Sequence, residues 1–297
     1  IHNKPTALWT NPKRYPQTHP PYPQTDTMAM DGVMYLPETA PRGSAIYFHG
    51  NTMNFYTGAA RFLAPALTDL GLAFMAFNRR GHDILTTRNS REAEGGAFQT
   101  VAESIADNRY AAQWMHGQGF HHPVVIGHSY GGNVALAASV ALAGQVRAVS
   151  IYETPLSWLP WWPGTTAGGA SVSATAEDAA ETFMKRLIGP DAWEALPART
   201  KIERRREGPA LQGELGALRG GAPWQPMDVR VPVTCAHGSK GSPHHREGMT
   251  WLSGQISDAR LVCIEGAGHG APNSHAADLA ARLVVPQLDT TDGISTS

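Results

Sequence analysis

The sequence has few cysteines, few charged residues and no long apolar run, and each shortage argues against a class of protein. Two cysteines, Cys235 and Cys263, are too few for a disulfide framework, and their apolar surroundings predict free buried thiols. The 24 basic and 25 acidic residues nearly cancel, which argues against a nucleic-acid or lipid partner bound through overall charge. The most apolar stretch, residues 134–143, is about half as long as a transmembrane helix, so no membrane span is expected.

Nucleotide-binding loops and targeting signals are also missing from the sequence. There is no P-loop, and no G-x-G-x-x-G follows an apolar strand, so no nucleotide cofactor is expected. The chain opens on Ile1 in a polar, proline-rich segment without a signal-peptide pattern, which leaves open whether such a peptide was removed upstream. The compartment is left open, with the cytoplasm slightly favoured.

What the chain does contain is an alternation of apolar runs and amphipathic segments. Runs typical of strands lie at residues 28–36, 44–49, 72–77, 123–127, 146–152, 231–236 and 261–265, and helical spacing at 55–70, 98–115, 133–143 and 276–285. Phe62, Leu63, Ala66 and Leu70 share the predicted buried face of the first helix. This alternation predicts the α/β class, a mostly parallel, doubly wound sheet covered on both faces.

Two segments depart from the alternation and set the predicted domain boundaries. Residues 1–25 contain six prolines and little periodicity, so we expect an extended surface arm. Residues 155–226 contain no convincing strand but several short helical pieces, which predicts a helical cap inserted over the carboxyl edge of the sheet. Residues 26–154 and 227–297 then form the core.

The strongest functional motif is G-x-S-x-G at residues 127–131, which reads Gly-His-Ser-Tyr-Gly. It follows the apolar run Pro-Val-Val-Ile and precedes an alanine-rich helix, which is the strand–turn–helix context of a nucleophilic serine. Glycines let the backbone pack tightly at the turn, and the amino end of a helix favours a developing anion. We therefore predict that Ser129 is a nucleophile and not part of a structural glycine turn.

A nucleophilic serine needs a base that is held in one tautomer, and its oxyanion needs two N–H donors. His269 lies in Gly-Ala-Gly-His-Gly after the last apolar run, where a histidine has little packing to do, and is predicted to be the general base. The oxyanion donors are predicted to be the backbone N–H groups of Tyr130, directly after the serine, and of Asn51, after an early strand. His49 is expected to brace that early loop by hydrogen bonding, with an acid–base role as the alternative.

Four motifs occur in an order that resembles the α/β-hydrolase superfamily. They are the elbow at 127–131, the His-Gly at 49–50, the Arg-Gly-His at 80–82 and the Gly-His-Gly at 268–270, within a similarity that spans about residues 28–286. The resemblance implies that superfamily's fold, with its sheet and inserted cap, and a hydrolase activity. It does not identify the substrate.

The sequence departs from the family pattern at the acid of the triad. Many members carry it in a Gly-x-x-Asp after the strand that corresponds to residues 231–236, but here Gly241 stands in the aspartate position. The preceding core strand ends in Glu153. This resembles a subset of the superfamily that includes some haloalkane dehalogenases, whose acid is a glutamate at that place. Those enzymes use an aspartate nucleophile, so Ser129 implies ester hydrolysis instead, with Glu153 as the acid.

Other polar groups have structural interpretations beside their functional ones. Glu265 and Asp83 are rival acids, expected to be a strand-end charge and the brace of a turn. The pair His244 and His245, with Glu247, suggests a metal, but the surface of a helix is the favoured interpretation, so no metal site is expected.

The predicted function is a cofactor-independent serine hydrolase that cleaves a small carboxylic ester or lactone through an acyl-enzyme. Trp158, Trp161 and Trp162 are expected to line an apolar substrate pocket or to anchor the cap. Two rivals stay open: a carbon–carbon bond hydrolase, amidase or perhydrolase on the same triad, and a non-catalytic small-molecule binding protein. The expected partner is a small ester-like substrate, and a homodimer is left open.

Overall fold

The computed structural model describes residues 7–11, 30–50, 58–79, 101–164, 175–206 and 208–288. Over these ranges the centre of the fold is one sheet of eight strands. The strands are β1 (Ala7–Asn11), β2 (Met30–Tyr35), β3 (Gly43–Phe48), β4 (Leu72–Phe77), β5 (Val124–His128), β6 (Ala148–Tyr152), β7 (Val233–Gly238) and β8 (Ala259–Ile264).

The strand order is β1-β2-β4-β3-β5-β6-β7-β8. Strand β2 runs antiparallel to β1 and β4, and all pairs from β4 to β8 are parallel. The predicted mostly parallel sheet is therefore confirmed. Because parallel strands end at one edge, the residues that directly follow β3, β5, β6, β7 and β8 lie along a common carboxyl edge.

Helices connect the strands and flank the sheet. They are α1 (Ala59–Thr68), α2 (Val101–Gly117), α3 (Tyr130–Ala141), α4 (Ala176–Ile188), α5 (Pro190–Glu194), α6 (Ala198–Arg206), α7 (Gly208–Gly220), α8 (Pro243–Gln255), α9 (Ala271–Ser274), α10 (Ala276–Leu279) and α11 (Val285–Leu288). A 3₁₀ turn at Pro226–Asp228 precedes β7, and a π-helical turn at Ala280–Val284 joins α10 to α11.

Two apolar clusters hold the layers together. Along β3, Ile46 and Phe48 belong to the cluster that contains α2, α3 and α8, whereas Ala45 and Tyr47 belong to the cluster that contains α1, α10 and the π-helical turn. Successive side chains of a strand point to opposite faces, so helices cover both faces. All six residues of β4 are buried, which is why such strands appear in the sequence as continuous apolar runs.

Two details differ from the sequence-based expectations. Ala7–Asn11 pairs with β2 as an edge strand, within the segment for which we expected only an extended arm; the rest of that arm lies outside the described residues. On α1, Phe62 is exposed, while Leu63 and Leu67 are buried with the neighbouring alanines. The small alanines let α1 pack closely, which turns the buried stripe away from Phe62.

The chain between β6 and β7, residues 155–226, is called the insertion below. Its described residues include α4 to α7, and α4 and α7 share a small apolar cluster of Ala180, Phe183, Leu211 and Leu215. Both ends of the insertion are tied to one buried side chain of α3. The Asn133 amide donates to the Pro155 carbonyl oxygen at 2.7 Å and accepts from the Trp224 indole N–H at 3.2 Å.

Two further expectations concern thiols and membrane spans. Cys235 and Cys263 are both free; Cys235 is buried as expected, whereas Cys263 is only partly buried. Within the part of the chain that the structure describes, no helix combines the length and the apolar character needed to cross a membrane.

Candidate active site

The elbow motif forms the turn between β5 and α3. Ser129 occupies this turn with φ 54° and ψ −128°, a conformation that is costly for a residue with a side chain. Its N–H donates to the Tyr152 carbonyl oxygen at 3.0 Å, and its side chain is partly exposed at the amino end of α3. The turn therefore has the strand–turn–helix form that the motif predicted.

Steric contacts explain the glycines of the elbow. A Cβ at Gly127 would lie 2.6 Å from the Cα of Gly132, and a Cβ at Gly131 would lie 2.1 Å from the carbonyl oxygen of Phe48. Gly132, which the motif does not include, would place a Cβ 1.8 Å from Thr154 Oγ1. The turn thus needs glycine for close packing at three positions.

The structure brings together the predicted acid and base. Glu153 directly follows β6, has a φ of 46° and is completely buried. The His269 ring N–H at Nδ1 donates to Oε2 at 2.8 Å, and the Gly238 backbone N–H donates to Oε1 at 3.1 Å. Each carboxylate oxygen therefore has a donor, and the His269 tautomer with its lone pair on Nε2 is selected.

The charge of Glu153 follows from its surroundings. Burial raises the pKa of the carboxyl, but its contacts with His245 and His269 outweigh this and hold the pKa well below its usual range. Glu153 is therefore ionised at neutral pH, and its negative charge lies against the His269 ring.

Tyr152 connects the three loops of the site, and sequence reasoning missed it. Its carbonyl oxygen accepts from Ser129, and its hydroxyl donates to the Gly268 carbonyl oxygen at 2.8 Å. Burial and the neighbouring Glu153 carboxylate raise the pKa of the hydroxyl, so it remains a donor. A tyrosine at the end of a strand carries no sequence signal for this role.

His128, the second residue of the elbow, supports the loop of the base. Its Nε2–H donates to the His269 carbonyl oxygen at 2.9 Å, and the two rings lie 4.8 Å apart. Burial, with the nearby His269 ring, lowers the pKa of His128 to about 3, so it is neutral at physiological pH. The elbow sequence thus supports the His269 loop as well as the turn at Ser129.

His245 lies inside the site, which corrects the expectation that it belongs to a helix surface. Only 13% of its side chain is exposed, and its ring stacks on that of His269 with centroids 4.8 Å apart and planes inclined by 10°. Its Nδ1 lies 3.2 Å from Glu153 Oε2. The inward register of α8 causes the difference, because Trp162 packs against Gly248, where a Cβ would lie only 2.9 Å from its ring.

The three predicted tryptophans of the insertion differ in their surroundings. Trp162 is buried, and its ring centroid lies 4.9 Å from that of His244 and 5.7 Å from that of His245. Trp158 packs edge-on against Trp224 at 5.7 Å. Trp161 is 41% exposed. Of the three, Trp162 is the one whose ring directly contacts the histidines beside Glu153, and Trp161 reaches them only through its own contact with Trp162.

The loop after β3 is braced by hydrogen bonds, as expected for His49. Its buried ring donates from Nδ1 to the Gly50 carbonyl oxygen at 2.9 Å and accepts at Nε2 from the Arg79 N–H at 3.4 Å. The Arg79 guanidinium donates to the His49 carbonyl oxygen at 2.9 Å and lies 5.5 Å from the centre of the Tyr130 ring.

The remaining candidates lie elsewhere. Glu265 is exposed and accepts a hydrogen bond from the Ser239 hydroxyl at 2.9 Å. Asn51 and Asp83, predicted as an oxyanion donor and a rival acid, lie outside the described residues.

Comparisons with known proteins agree with the fold. Residues 45–282 match the profile of the Alpha/beta hydrolase family. None of the curated proteins matches the chain in sequence.

Among similar solved structures are three enzymes that share 13–16% identity with the chain. The epoxide hydrolase VrEH1 from Vigna radiata has a TM-score of 0.60 and 15% identity, with 85% of this chain and 92% of that chain covered. The peroxisomal α/β-hydrolase Lpx1 from Saccharomyces cerevisiae has a TM-score of 0.61 and 16% identity, with 93% of this chain and 86% of that chain covered. A bromoperoxidase from Bacillus anthracis has a TM-score of 0.58 and 13% identity, with 86% of this chain and 94% of that chain covered. At such identities the likeness concerns the fold.

Proposed function

Because the chain belongs to the alpha/beta hydrolase family, we propose that it is a serine hydrolase that cleaves carboxylic esters or lactones through an acyl-enzyme. The observation that carries the proposal is the 2.8 Å contact between His269 Nδ1 and Glu153 Oε2, on the sheet edge that also bears the strained Ser129. In this proposal the nucleophile Ser129 follows β5, the base His269 follows β8, and the acid Glu153 follows β6.

In the proposed mechanism, Ser129 Oγ attacks the substrate carbonyl carbon while His269 Nε2 takes the hydroxyl proton. The ionised Glu153 carboxylate stabilises the imidazolium that results. His269 then gives the proton to the leaving alkoxide, and the carbon–oxygen bond breaks to leave an acyl-Ser129. Water, deprotonated by the same imidazole, attacks the acyl carbon and releases the acid.

The oxyanion is assigned to the backbone N–H groups of Tyr130 and Asn51. Tyr130 is the first residue of α3, where the amino end of the helix adds partial positive charge.

We assign the insertion to the role of a cap that selects the substrate, with Trp162 as its contact with the site. The Trp162 ring lies edge-on to His244 and tilted beside His245. An apolar ring at this place suits the acyl or alcohol portion of a small apolar ester. The aromatic surroundings support an uncharged substrate class.

A fluorophosphonate probe tests the proposal, because it reacts quickly only with an activated serine. We expect stoichiometric labelling of the wild-type protein, an adduct on the Ser129 peptide in mass spectrometry, and no labelling of Ser129→Ala. Ser139→Ala, a change of another serine of the same region of the chain, is the matched control and should label normally. An unlabelled wild-type protein would favour the non-catalytic binding protein.

A substrate panel separates the reaction classes that share this triad. We expect p-nitrophenyl esters and lactones to be hydrolysed well, and amides, vinylogous diketones and peracid formation to be slow. Faster turnover of a diketone than of any ester would show that the enzyme is a carbon–carbon bond hydrolase. A preference for amides would identify an amidase, and a preference for peracid formation would identify a perhydrolase.

A further inference from the structure

We infer that His245 is a positioning residue for the proposed reaction: it donates a second hydrogen bond to Glu153 Oε2, beside that of His269, and so fixes the acid against the base. The inference rests on the proposed function, in which Glu153 orients His269. His245 acts through Glu153 and is assigned no contact with the reacting atoms.

The Glu153 carboxylate has a nitrogen neighbour or neighbours at each of its oxygens. Oε2 lies 2.8 Å from His269 Nδ1 and 3.2 Å from His245 Nδ1, and Oε1 accepts from the Gly238 N–H at 3.1 Å. The His245 contact is longer and less well aligned than the His269 contact, so it is the weaker of the two. The three nitrogens together restrict the orientation of the fully buried carboxylate.

The charge of Glu153 decides where the proton of His245 lies. A proton on Nε2 would leave the Nδ1 lone pair facing a negative oxygen, at a position where only 13% of the His245 side chain is exposed. A proton on Nδ1 turns the same contact into a hydrogen bond. Burial lowers the pKa of His245, so the ring is neutral at pH 7 and above and adds no second cation beside His269.

Stacking restricts the base as well. The planes of the His245 and His269 rings are inclined by 10° with centroids 4.8 Å apart, so His269 cannot tilt far toward that side without meeting His245. The His269 side chain is 34% exposed and lies in a loop, where it has less packing to hold it than a core side chain has. Trp162, packed against Gly248, holds α8 in the register that presents His245.

The other titratable or charged groups around this ring pair come from several elements. Among the described residues they are Glu153 after β6, Tyr152 on β6, His128 on β5, His244 on α8 and Arg186 on α4. Burial lowers the pKa of His128 to about 3 and that of His244 to about 4, and burial raises the pKa of the Tyr152 hydroxyl. None of these three changes its charge between pH 5 and 9, and an arginine does not titrate there. A shift of the pH profile in this range therefore reports the Glu153–His269 pair.

The pH profile of kcat/KM for a p-nitrophenyl ester separates a positioning role from a structural one. His245→Phe keeps a flat ring beside His269 but has no donor, so the Glu153 charge attracts the proton of the imidazolium more strongly. We expect the acidic limb to move to higher pH by at least about 0.5 unit and kcat to fall at least about fivefold, with a smaller change in KM. A merely structural role would lower stability and leave the limb in place.

His245→Asn supplies the rescue, because an asparagine amide N–H takes nearly the place of an imidazole Nδ1–H. It should return the limb to near its wild-type position. His244→Phe is the matched control, since that ring contacts Trp162 and His245 rather than Glu153, and it should keep the wild-type limb. An unmoved limb in His245→Phe, or equal shifts in His245→Phe and either of the other variants, would overturn the assignment. If circular dichroism shows that His245→Phe does not fold, His245→Ala takes its place in the comparison.

Nitrogen NMR tests the hydrogen bond without any turnover. Two-bond ¹⁵N–¹H spectra of the full chain at pH 8, assigned by comparison with His245→Asn, should show His245 as the neutral Nδ1–H tautomer. The Nε2–H tautomer or a cationic ring would overturn the inference. An enzyme that hydrolyses no ester would contradict the proposed function and with it the kinetic role of His245, while the nitrogen shifts would still decide whether His245 donates to Glu153.

Discussion

The Glu153 carboxylate occupies the space that a side chain at Gly241 would need. A Cβ at Gly241 would lie 2.0 Å from Glu153 Oε1. Gly241 is the position at which the family pattern has its aspartate. The two positions therefore compete for one volume beside His269, and an acid that enters from the end of β6 requires a residue without a side chain after β7.

Replacing Glu153 with glutamine should lower turnover by about 10²–10⁴-fold with a much smaller change in KM, because the neutral amide no longer favours imidazolium. Steady-state kinetics with a p-nitrophenyl ester measure this. Glu265→Gln is the matched control and should lose little, since Glu265 contacts Ser239 at the surface. A dead Glu265→Gln beside an active Glu153→Gln would show that the acid is misassigned.

Moving the acid should restore part of the activity. Gly241→Asp alone is expected to destabilise the protein and reduce turnover, because its Cβ overlaps the Glu153 carboxylate. In the double variant with Glu153→Gly, the same aspartate should fill the vacated volume. The kcat of the double variant should be at least about tenfold higher than that of Glu153→Gly alone. Thermal unfolding and kcat of the two single variants and the double variant give the coupling. Additive losses would mean that the two positions do not share the volume.

Substitutions of Ser129 should separate chemistry from backbone strain. Ser129→Ala and Ser129→Gly should both lose at least about 10⁴-fold in turnover. Glycine tolerates the φ of 54°, so Ser129→Gly should exceed Ser129→Ala in free energy of unfolding by about 1 kcal/mol. Urea denaturation measures the difference, and equal stabilities would show that the elbow is not strained.

The buried His128 should make folding stability depend on pH. Burial lowers its folded-state pKa from 6.5 to about 3, so its contribution is fully present above pH 6.5 and is lost as the pH falls toward 3. His128→Asn keeps a donor for the His269 carbonyl oxygen but cannot titrate. It should reduce the slope of stability against pH by about 1.4 kcal/mol per unit below pH 6.

Urea denaturation between pH 4 and 8 measures this slope. Ser139→Ala, a change at a buried residue that carries no titrating group, provides a control and should leave the slope unchanged. Identical slopes in His128→Asn and the wild type would contradict the neutral, buried state of His128.

Trp162 should influence substrate preference more than Trp161 does. Removing the buried Trp162 ring opens space beside His244 and His245, so Trp162→Ala should shift relative kcat/KM values toward longer acyl chains. Trp161→Ala, at an exposed position, is the control and should keep the wild-type order. A series of p-nitrophenyl esters from acetate to octanoate gives the comparison. The same shift in both variants would mean that neither ring lines the site.

The parallel strands β3 to β8 were predictable because buried parallel strands are near-continuous apolar runs, and Ser129, Glu153 and His269 were found as the polar residues that follow such runs. The edge strand Ala7–Asn11 was not predictable, because its proline-rich surroundings carry no such run. The inward position of His245 was not predictable. It depends on how α8 is rotated against Trp162, which is a tertiary contact without a local pattern. Phe62 was misplaced for the same reason, since the packing of alanines chose the buried face of α1.

The hydrogen bonds of Asn133 to Pro155 and Trp224 mean that the insertion enters and leaves the core at one point. A segment whose two ends are held together costs the surrounding fold little when its length or sequence changes. The insertion is therefore an exchangeable segment that is attached to the core at Asn133. Grafting a different helical segment between Pro155 and Trp224 would change which substrates reach Ser129, while the sheet edge stays as it is.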